Sequence, residues 1–288
     1  MKSALFSFTL LCFAIPSLAQ DKLAFKIFDD KGKEVSYEKM IKKVAAKDVF
    51  FFGELHNNPI AHWLQLEMTQ DLYKLRDGQI ILGAEMFERD NQLLMNEYLN
   101  GMISEKNFED EARLWPNYQT DYKPLVEFAK ANELFFAATN IPRRYASLVF
   151  AEGIEKLMDL EEDAKRYVAP LPIEIDLELP AYKDMLSMMA SHTEGNVKFP
   201  QAQAIKDATM AYSIVEHMKD GQQFIHYNGS YHSDRYQGII WYLNKYDSKL
   251  SVATVKTIEQ EDISELQEEM AGTADYIIVI PANMTKTY

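Results

Sequence analysis

Residues 49–58 read VFFFGELHNN, an apolar run that stops at Gly53 and passes into a polar turn containing His56. A second stretch, FIHYNGSYH, repeats this arrangement with Gly229 and His232. Apolar runs rich in Val, Ile and Phe are typical of buried strands, and a glycine at the strand end permits a turn or a close backbone approach. The repeat therefore predicts two buried strands, each with a histidine just beyond its carboxyl end.

The same alternation of patterns extends over most of the chain. Six apolar runs are separated for the most part by segments of helical periodicity, which predicts an α/β fold with a central, mostly parallel sheet flanked by helices. Asn57 or Asn58 is predicted to cap a helix that has Pro59 in its first turn and ends before Gly78. The predicted strands are 48–53, 79–84, 133–139, 222–228, 249–256 and 275–280.

Two long segments lack strand patterns. Residues 90–132 and 142–220 are mostly helical in character, except for residues 169–180, where prolines predict an irregular connection. We expect these segments to form a helical lobe over the carboxyl ends of the strands. About 270 residues suffice for one large core, so residues 20–288 are predicted to form a single domain.

The first residues have the features of a signal peptide. Lys2 precedes the apolar run ALFSFTLLCFAI, which Pro16 breaks before a pair of small residues, so we expect residues 1–19 to be removed by cleavage after Ala19. The run is shorter than the roughly 20 residues that span a bilayer, and no later segment is more apolar. The sequence thus predicts export to the periplasm without a transmembrane segment.

The lone cysteine and the charge narrow the possible chemistry. Cys12 lies inside the apolar run and not after it, which argues against a lipoprotein. Its removal with the leader would leave no thiol for disulfides, nucleophiles or metal sites. Without Lys2, 29 of the 30 basic residues remain against 44 acidic ones. The resulting balance of about −15 argues against nucleic acids and anionic membrane surfaces as partners.

Polar residues follow four of the predicted strands. The carboxyl ends of parallel strands meet at one edge of the sheet, where ligands bind. Two histidines with two glutamates at this edge suit either a divalent metal or general acid–base catalysis. The alternative is that each histidine only caps a helix or bonds a backbone carbonyl. The residues are Glu54 and His56 after the first strand, Glu85 and Arg89 after the second, Asn140, Arg143 and Arg144 after the third, and His232 after the fourth.

Further candidates lie in the predicted lobe. Asp207 shares a helical face with Gln203 and Met210, and this face would line a pocket. His192 follows KDMLSMMAS, whose methionines either contact a flat apolar ligand or pack in the core. Tyrosine is a known ligand of haem iron, and the tyrosines near the predicted site are Tyr118, Tyr122, Tyr182, Tyr212 and Tyr231. The other histidines are His62 and His217, predicted at the surface or in packing, and His226, predicted in the core.

Seven ordered blocks of sequence resemble a known family. In order and spacing they resemble the ChaN-like haem-binding uptake proteins, which belong with the Tiki and erythromycin-esterase-like proteins and share a pair of Gly-x-x-His motifs. The resemblance extends from about residue 45 to residue 281. The blocks are GELHNNPIAH, GAEMFERDNQ, NGMIS, DYKPLVEFAKAN, ATNIPRR, QAQAIKDATMA and NGSYH.

The resemblance implies an α/β fold and haem binding in iron acquisition, with two haems stacked between two monomers. A tyrosine of one monomer would ligate the iron, and histidine and lysine of the other would hold the propionates. These ligands lie outside the matched blocks. The candidate haem-contacting residues here are therefore Arg89, Asn140, Arg144, His192, Asp207, Met210 and Tyr231.

Three hypotheses follow for the function. The first is an exported protein that binds haem, or a related iron porphyrin, between two copies of the chain. The second, implied by the Tiki branch, is a metal-dependent hydrolase in which His56 and His232 act with Glu54 and Glu85, or the same residues acting as a bare acid–base pair. The third is a partner-binding module whose polar cluster is only structural.

Overall fold

The computed structural model of the protein describes residues 22–189 and 198–288. The predicted leader and His192 lie outside these residues. The strands are β1 (Lys26–Asp29), β2 (Val49–Glu54), β3 (Ile80–Glu88), β4 (Phe136–Asn140), β5 (Gln223–Gly229), β6 (Val252–Gln260) and β7 (Tyr276–Pro281). Within the described residues these seven strands form one sheet in the order β1-β7-β6-β2-β5-β3-β4. All neighbouring pairs are parallel except β1 and β7.

Helices connect the strands and cover both faces of the sheet. Helices of the first half of the chain pack on one face, and those of the second half pack on the other. None of the helices that the structure describes is long and apolar enough to cross a membrane. The helices are α1 (Tyr37–Val44), α2 (Pro59–Leu75), α3 (Gln92–Leu99), α4 (Glu105–Glu111), α5 (Lys123–Ala131), α6 (Arg143–Glu152), α7 (Glu162–Lys165), α8 (Pro180–Met189), α9 (Lys198–His217) and α10 (Ile239–Tyr246).

Strand β2 shows why the sheet is buried on both sides. All six of its residues are buried. Because side chains alternate along a strand, Phe50 and Phe52 pack against α1, α2 and α5, whereas Phe51 packs against α6, α9 and α10. The continuous apolar run in the sequence is therefore the mark of a central strand covered on both faces.

The predicted α/β fold with its mostly parallel sheet and flanking helices is confirmed. All six predicted strands are present, with ends that differ by one to four residues. Strand β1 was not predicted, because only Ile27 and Phe28 of its four residues are buried and the strand lies at the edge of the sheet. The helix cap was predicted at Asn57 or Asn58, and it is Asn58 whose side chain accepts from the N–H groups of Ile60 and Ala61.

The strand order brings the two Gly-x-x-His turns side by side. Strands β2 and β5 are parallel neighbours, with Val49 opposite Phe224 and Glu54 opposite Gly229. From β2 the chain proceeds to β3 and β4 on one side, and from β5 it proceeds to β6 and β7 on the other. Such a reversal of strand order opens a crevice beyond the carboxyl ends of the strands.

We expect the β2 core to dominate stability. Phe52→Ala should lower the free energy of unfolding by about 3–5 kcal/mol, because it leaves a cavity in the centre of the sheet. The measurement is urea unfolding followed by circular dichroism. Leu93→Ala is the matched control, since this side chain is 68% exposed, and its loss should stay within about 0.5 kcal/mol. Equal losses in the two variants would contradict the assigned core.

Candidate functional site

The first Gly-x-x-His turn forms a histidine–carboxylate pair. His56 Nδ1 donates to Glu54 Oε1 at 2.8 Å. The Glu54 carboxylate is buried, while the His56 side chain is 36% exposed. Because Nδ1 carries the hydrogen in this pair, a neutral His56 has its free lone pair on Nε2.

Several buried side chains hold this pair in place. Tyr122 donates to Glu54 Oε1 at 2.7 Å, and the Gln65 amide donates to Glu54 Oε2. The His56 carbonyl is contacted by His62 Nε2 and by the Asn117 amide, each at 3.0 Å. The Glu54 carboxylate and the His56 carbonyl are thus fixed by α2 and by the segment before α5.

The second turn places His232 between two buried carboxylates. His232 Nδ1 lies 2.5 Å from Asp207 Oδ1, and its Nε2 lies 3.3 Å from Glu85 Oε1. The Gln203 amide lies 3.0 Å from the same Nε2, and Tyr182 donates to Asp207 Oδ2 at 3.0 Å. The ring of His232 is therefore locked in one orientation.

The two histidines meet at Gly229 and Glu85. The Gly229 N–H donates to Glu85 Oε2 at 2.8 Å. A β-carbon at Gly229 would lie only 2.6 Å from His56 Nε2 and 3.6 Å from Glu85 Oε2. His56 Nε2 and Glu85 thus face the same small space, and His232 closes its other side.

Local backbone geometry aims Glu85 at this space. The pairing of β3 with β4 shifts register between Ala84 and Glu88. Asn140, at the end of β4, donates to the Glu85 carbonyl at 2.9 Å. Since the bulged residues do not pair regularly, Glu85 turns towards β5 and its histidine.

The charges in the cluster stabilise one another. Burial disfavours the charged form of His232, but Glu85 and Asp207 outweigh this effect and raise its pKa to about 10. Burial likewise opposes ionisation of Glu85, yet His232, His56 and the Gly229 N–H hold its pKa well below the usual range. For Asp207 burial dominates and raises the pKa. His56, less buried, has its pKa raised by Glu54 and Glu85 against the effect of burial.

A cleft of about 420 Å³ with both polar and apolar walls opens next to Glu85. Such a volume is within the range of ligand pockets in proteins. Its walls include the aromatic rings of Trp115, Phe150 and Phe199, and two cationic side chains, Arg143 and Lys206, lie among the lining residues. The remaining lining residues are Glu85, Glu88, Asn140, Ile141, Ala146, Ser147, Ala202 and Gln203. This cleft thus combines aromatic side chains with two cationic groups and two carboxylates.

Some predicted site residues lie together and others do not. Of the residues predicted from the sequence, the cluster brings together Glu54, His56, Glu85, Asp207 and His232, and Asn140 and Gln203 line the adjoining cleft. Met210 is fully buried in the core. Tyr231 donates its hydroxyl to the Ala181 carbonyl.

Two predicted arginines are engaged elsewhere. Arg89 donates to Ser213 Oγ at 2.5 Å and to Glu216 at 2.9 Å, so its guanidinium is held by α9 away from the cleft lining. Arg144 pairs with Asp90. The cleft contains Arg143 instead. The sequence placed both Arg143 and Arg144 at this strand end. The ion pair that keeps Arg144 from the cleft joins it to Asp90, which is far away in the chain.

Of the two alternatives predicted for His62, the structure shows packing and not the surface. His62 is buried and contacts the His56 carbonyl and, at 3.3 Å, Asp121. His226 is buried with both ring nitrogens in hydrogen bonds, and burial lowers its pKa to about 4. His217 stacks on Phe135. The spacing of His62 and Gln65, three residues apart at the start of α2, is the signal that could have identified the supporting face.

A metal site was also predicted from the four strand-end residues. In the part of the chain that the structure describes, no group of three or more His, Cys, Asp or Glu side chains has the arrangement needed to hold a metal ion. The imidazoles instead contact the carboxylates directly.

These features define an α/β protein with paired Gly-x-x-His turns at the switch point of its sheet and a cleft beside them. The chain belongs to the family described as haem-binding uptake, Tiki superfamily, ChaN, whose sequence model matches residues 40–243. The predicted family is thereby confirmed.

Known proteins with similar sequence or structure fit this assignment. ChaN of Campylobacter jejuni, solved with cofacial haem, superposes with a TM-score of 0.69 at 17% identity, covering 90% of this chain and 97% of that one. The erythromycin esterase mutant EreC H289N superposes with a TM-score of 0.52 at 9% identity, covering 90% and 98%. At these identities the structures share the fold.

A curated relative is the Arabidopsis thaliana protein RETICULATA-RELATED 5, chloroplastic, which is 25% identical over 204 residues. The match covers 66% of this chain and 27% of that protein. This chain therefore spans about a quarter of the length of that relative.

Removing the shared imidazole should destabilise the site strongly. His232→Ala leaves Glu85 and Asp207 buried without their cation, and we expect a loss of about 3–5 kcal/mol in the free energy of unfolding at neutral pH. Urea unfolding measures it. His217→Ala, which removes a stacked and partly buried ring, should cost about 1 kcal/mol. If His232→Ala cost no more than His217→Ala, the two carboxylates would not depend on His232.

Proposed function

We propose that this chain is an exported haem-binding protein that acts in haem or iron uptake. The observation that carries the proposal is the cleft beside Glu85, with three aromatic residues and with Arg143 and Lys206 in its lining, in a chain that belongs to a haem-binding family. The cleft also contains Glu85 and Glu88, but these carboxylates pair with His232 and Arg113, which leaves Arg143 and Lys206 to attract anionic groups. They suit a flat, apolar ligand that carries carboxylates at one edge.

The residues of the cleft fit haem by shape and charge. The macrocycle would pack against Trp115, Phe150 and Phe199. Because the Phe150 and Phe199 rings are perpendicular to each other, one would contact it by its face and the other by its edge. The propionates would pair with Arg143 and Lys206. Among the residues that the structure describes, the Arg143 guanidinium has no hydrogen bond or ion pair, so no internal partner competes for it. Lys206 bonds only to the Gln203 amide, at 3.2 Å.

A ferric haem would supply an iron centre that accepts an oxygen ligand. Tyr118, Tyr122 and Tyr182 are buried, and Tyr231 is hydrogen-bonded. Tyr288 is 65% exposed, and within the described chain its hydroxyl has no hydrogen-bond partner. It does not line the cleft of its own chain, so it would reach an iron only from a second copy.

The homodimer and the location belong to the same proposal. A cleft that is open on one side leaves one face of the haem uncovered, and a second copy would cover it and supply the axial tyrosine. Export is supported by the leader-like residues 1–19, with Ala19 at the cleavage point. A periplasmic haem binder that dimerises around its ligand would serve uptake.

The test is a haemin titration of the protein recovered from the periplasm. We expect the first residue of this protein to be Gln20. We expect saturable binding, a Soret band typical of a tyrosinate ligand, and a shift to dimer mass. Arg143→Ala and Lys206→Ala should each weaken binding about 3- to 10-fold through the lost propionate pair. Lys249→Ala, at an exposed position remote from the cleft lining, should bind as the wild type does.

Two outcomes would overturn this proposal. The first is haemin binding that does not saturate. The second is equal affinity in Arg143→Ala, Lys206→Ala and Lys249→Ala, because the cleft would then not be the site. If haemin binding saturates while the protein keeps its monomer mass, the dimer and the axial tyrosine from a second copy are ruled out. The cleft then remains the proposed haem site.

A second candidate function is hydrolysis of an ester or amide, favoured by the His56–Glu54 pair. Glu54 accepts the Nδ1 hydrogen, so Nε2 of a neutral His56 can take a proton from an attacking water. The neighbouring His232, held protonated by Glu85 and Asp207, would stabilise negative charge that develops on the substrate. Glu85 lies between the two imidazoles and fixes their positions relative to each other.

We expect His56→Ala to lower any hydrolytic rate on a chromogenic ester by about 10²- to 10⁴-fold, the usual contribution of a positioned base. Its haemin affinity should change by less than about tenfold, because His56 does not line the cleft. His217→Ala is the control. If His56→Ala hydrolyses as fast as His217→Ala, the pair is not catalytic, and if it no longer binds haemin, the two sites are one.

A further inference from the structure

Trp115 is the residue that stands between the cleft and the His56–Glu54 pair. Its indole lines the cleft, and it also contacts the His56 ring edge-on with centroids 4.9 Å apart. His56 itself is not among the lining residues of the cleft. The Trp115 side chain and Glu85 therefore border both the cleft and the His56–Glu54 pair.

The segment that carries Trp115 is tied to His56 by a second contact. Asn117, two residues further on, donates to the His56 carbonyl at 3.0 Å and to Asp121 at 2.6 Å. The indole also contacts the ring of Tyr122, the residue that donates to Glu54, with centroids 5.9 Å apart. Any displacement of this segment would thus reach both members of the pair.

We propose that Trp115 couples occupancy of the cleft to the accessibility of His56. A planar ligand that stacks on the cleft side of the indole holds Trp115 against the imidazole, and so shields His56 without touching it. This inference rests on the proposed haem site, and it adds a regulatory role: the loaded protein would expose less of His56 than the empty protein, in which the side chain is 36% exposed although the indole contacts it. Because coupling between sites is reciprocal, a change at Trp115 should alter both readouts together.

The experiment measures acylation of His56 by diethyl pyrocarbonate with peptide mapping, with and without haemin. His217, which lies on α9 away from the cleft lining and the His56–Glu54 pair, is the internal reference. In the wild type we expect haemin to slow acylation of His56 and to leave His217 unchanged. Trp115→Leu should lose this protection and bind haemin about 2- to 10-fold more weakly, whereas Trp115→Phe, which keeps an aromatic wall, should retain both.

The controls separate the possible failures. Trp63→Leu removes an exposed indole that packs on Phe25 and should behave as the wild type. Protection of His56 by haemin that persists in Trp115→Leu would overturn the coupling, because the ligand would then cover His56 directly. If wild-type protein does not bind haemin, the haem proposal itself fails. The shielding of His56 by Trp115 can then still be tested without haemin. His56 must be acylated faster in Trp115→Leu than in Trp115→Phe, and equal rates would overturn the shielding.

Discussion

The close approach of two strand ends is the constraint on which the site depends. A β-carbon at Gly53 would lie 2.9 Å from Ser230 Cα, and one at Gly229 would lie 2.6 Å from His56 Nε2. Each glycine thus makes room for the other turn: Gly53 admits the backbone of the second motif, and Gly229 admits the imidazole of the first. The two Gly-x-x-His motifs recur because they interlock, and neither glycine has a positive φ.

The interlock also explains how so many charges can be buried together. Glu85 and Asp207 share the imidazole of His232, and Glu54 is held by Tyr122 and by a histidine of its own turn. A buried carboxylate without such partners would be costly. Loss of one partner would therefore destabilise the whole cluster. Such mutual dependence suits a site that must keep a fixed geometry beside a cleft.

The cleft and the cluster have different chemistry, and this difference separates the two candidate functions. The cleft offers aromatic walls with Arg143 and Lys206, as a flat dicarboxylate ligand requires. The cluster offers a polarised imidazole at His56, as proton transfer requires. Trp115 borders both. A haem-binding ChaN and an erythromycin esterase share this fold, so the fold alone does not decide between the two functions.

The sequence by itself determined the features that depend on neighbours along the chain. The continuous apolar run of β2 and a helix cap at Asn57 or Asn58 follow from local pattern and capping chemistry. Only the tertiary structure decided the rest. It inserted β5 between β2 and β3, and it joined Asp207, in mid-helix, to His232. It also paired Arg144 with Asp90, while Arg143 kept no partner among the described residues. These outcomes depend on which distant side chains are buried against one another, and a single sequence without its fold does not contain that information in readable form.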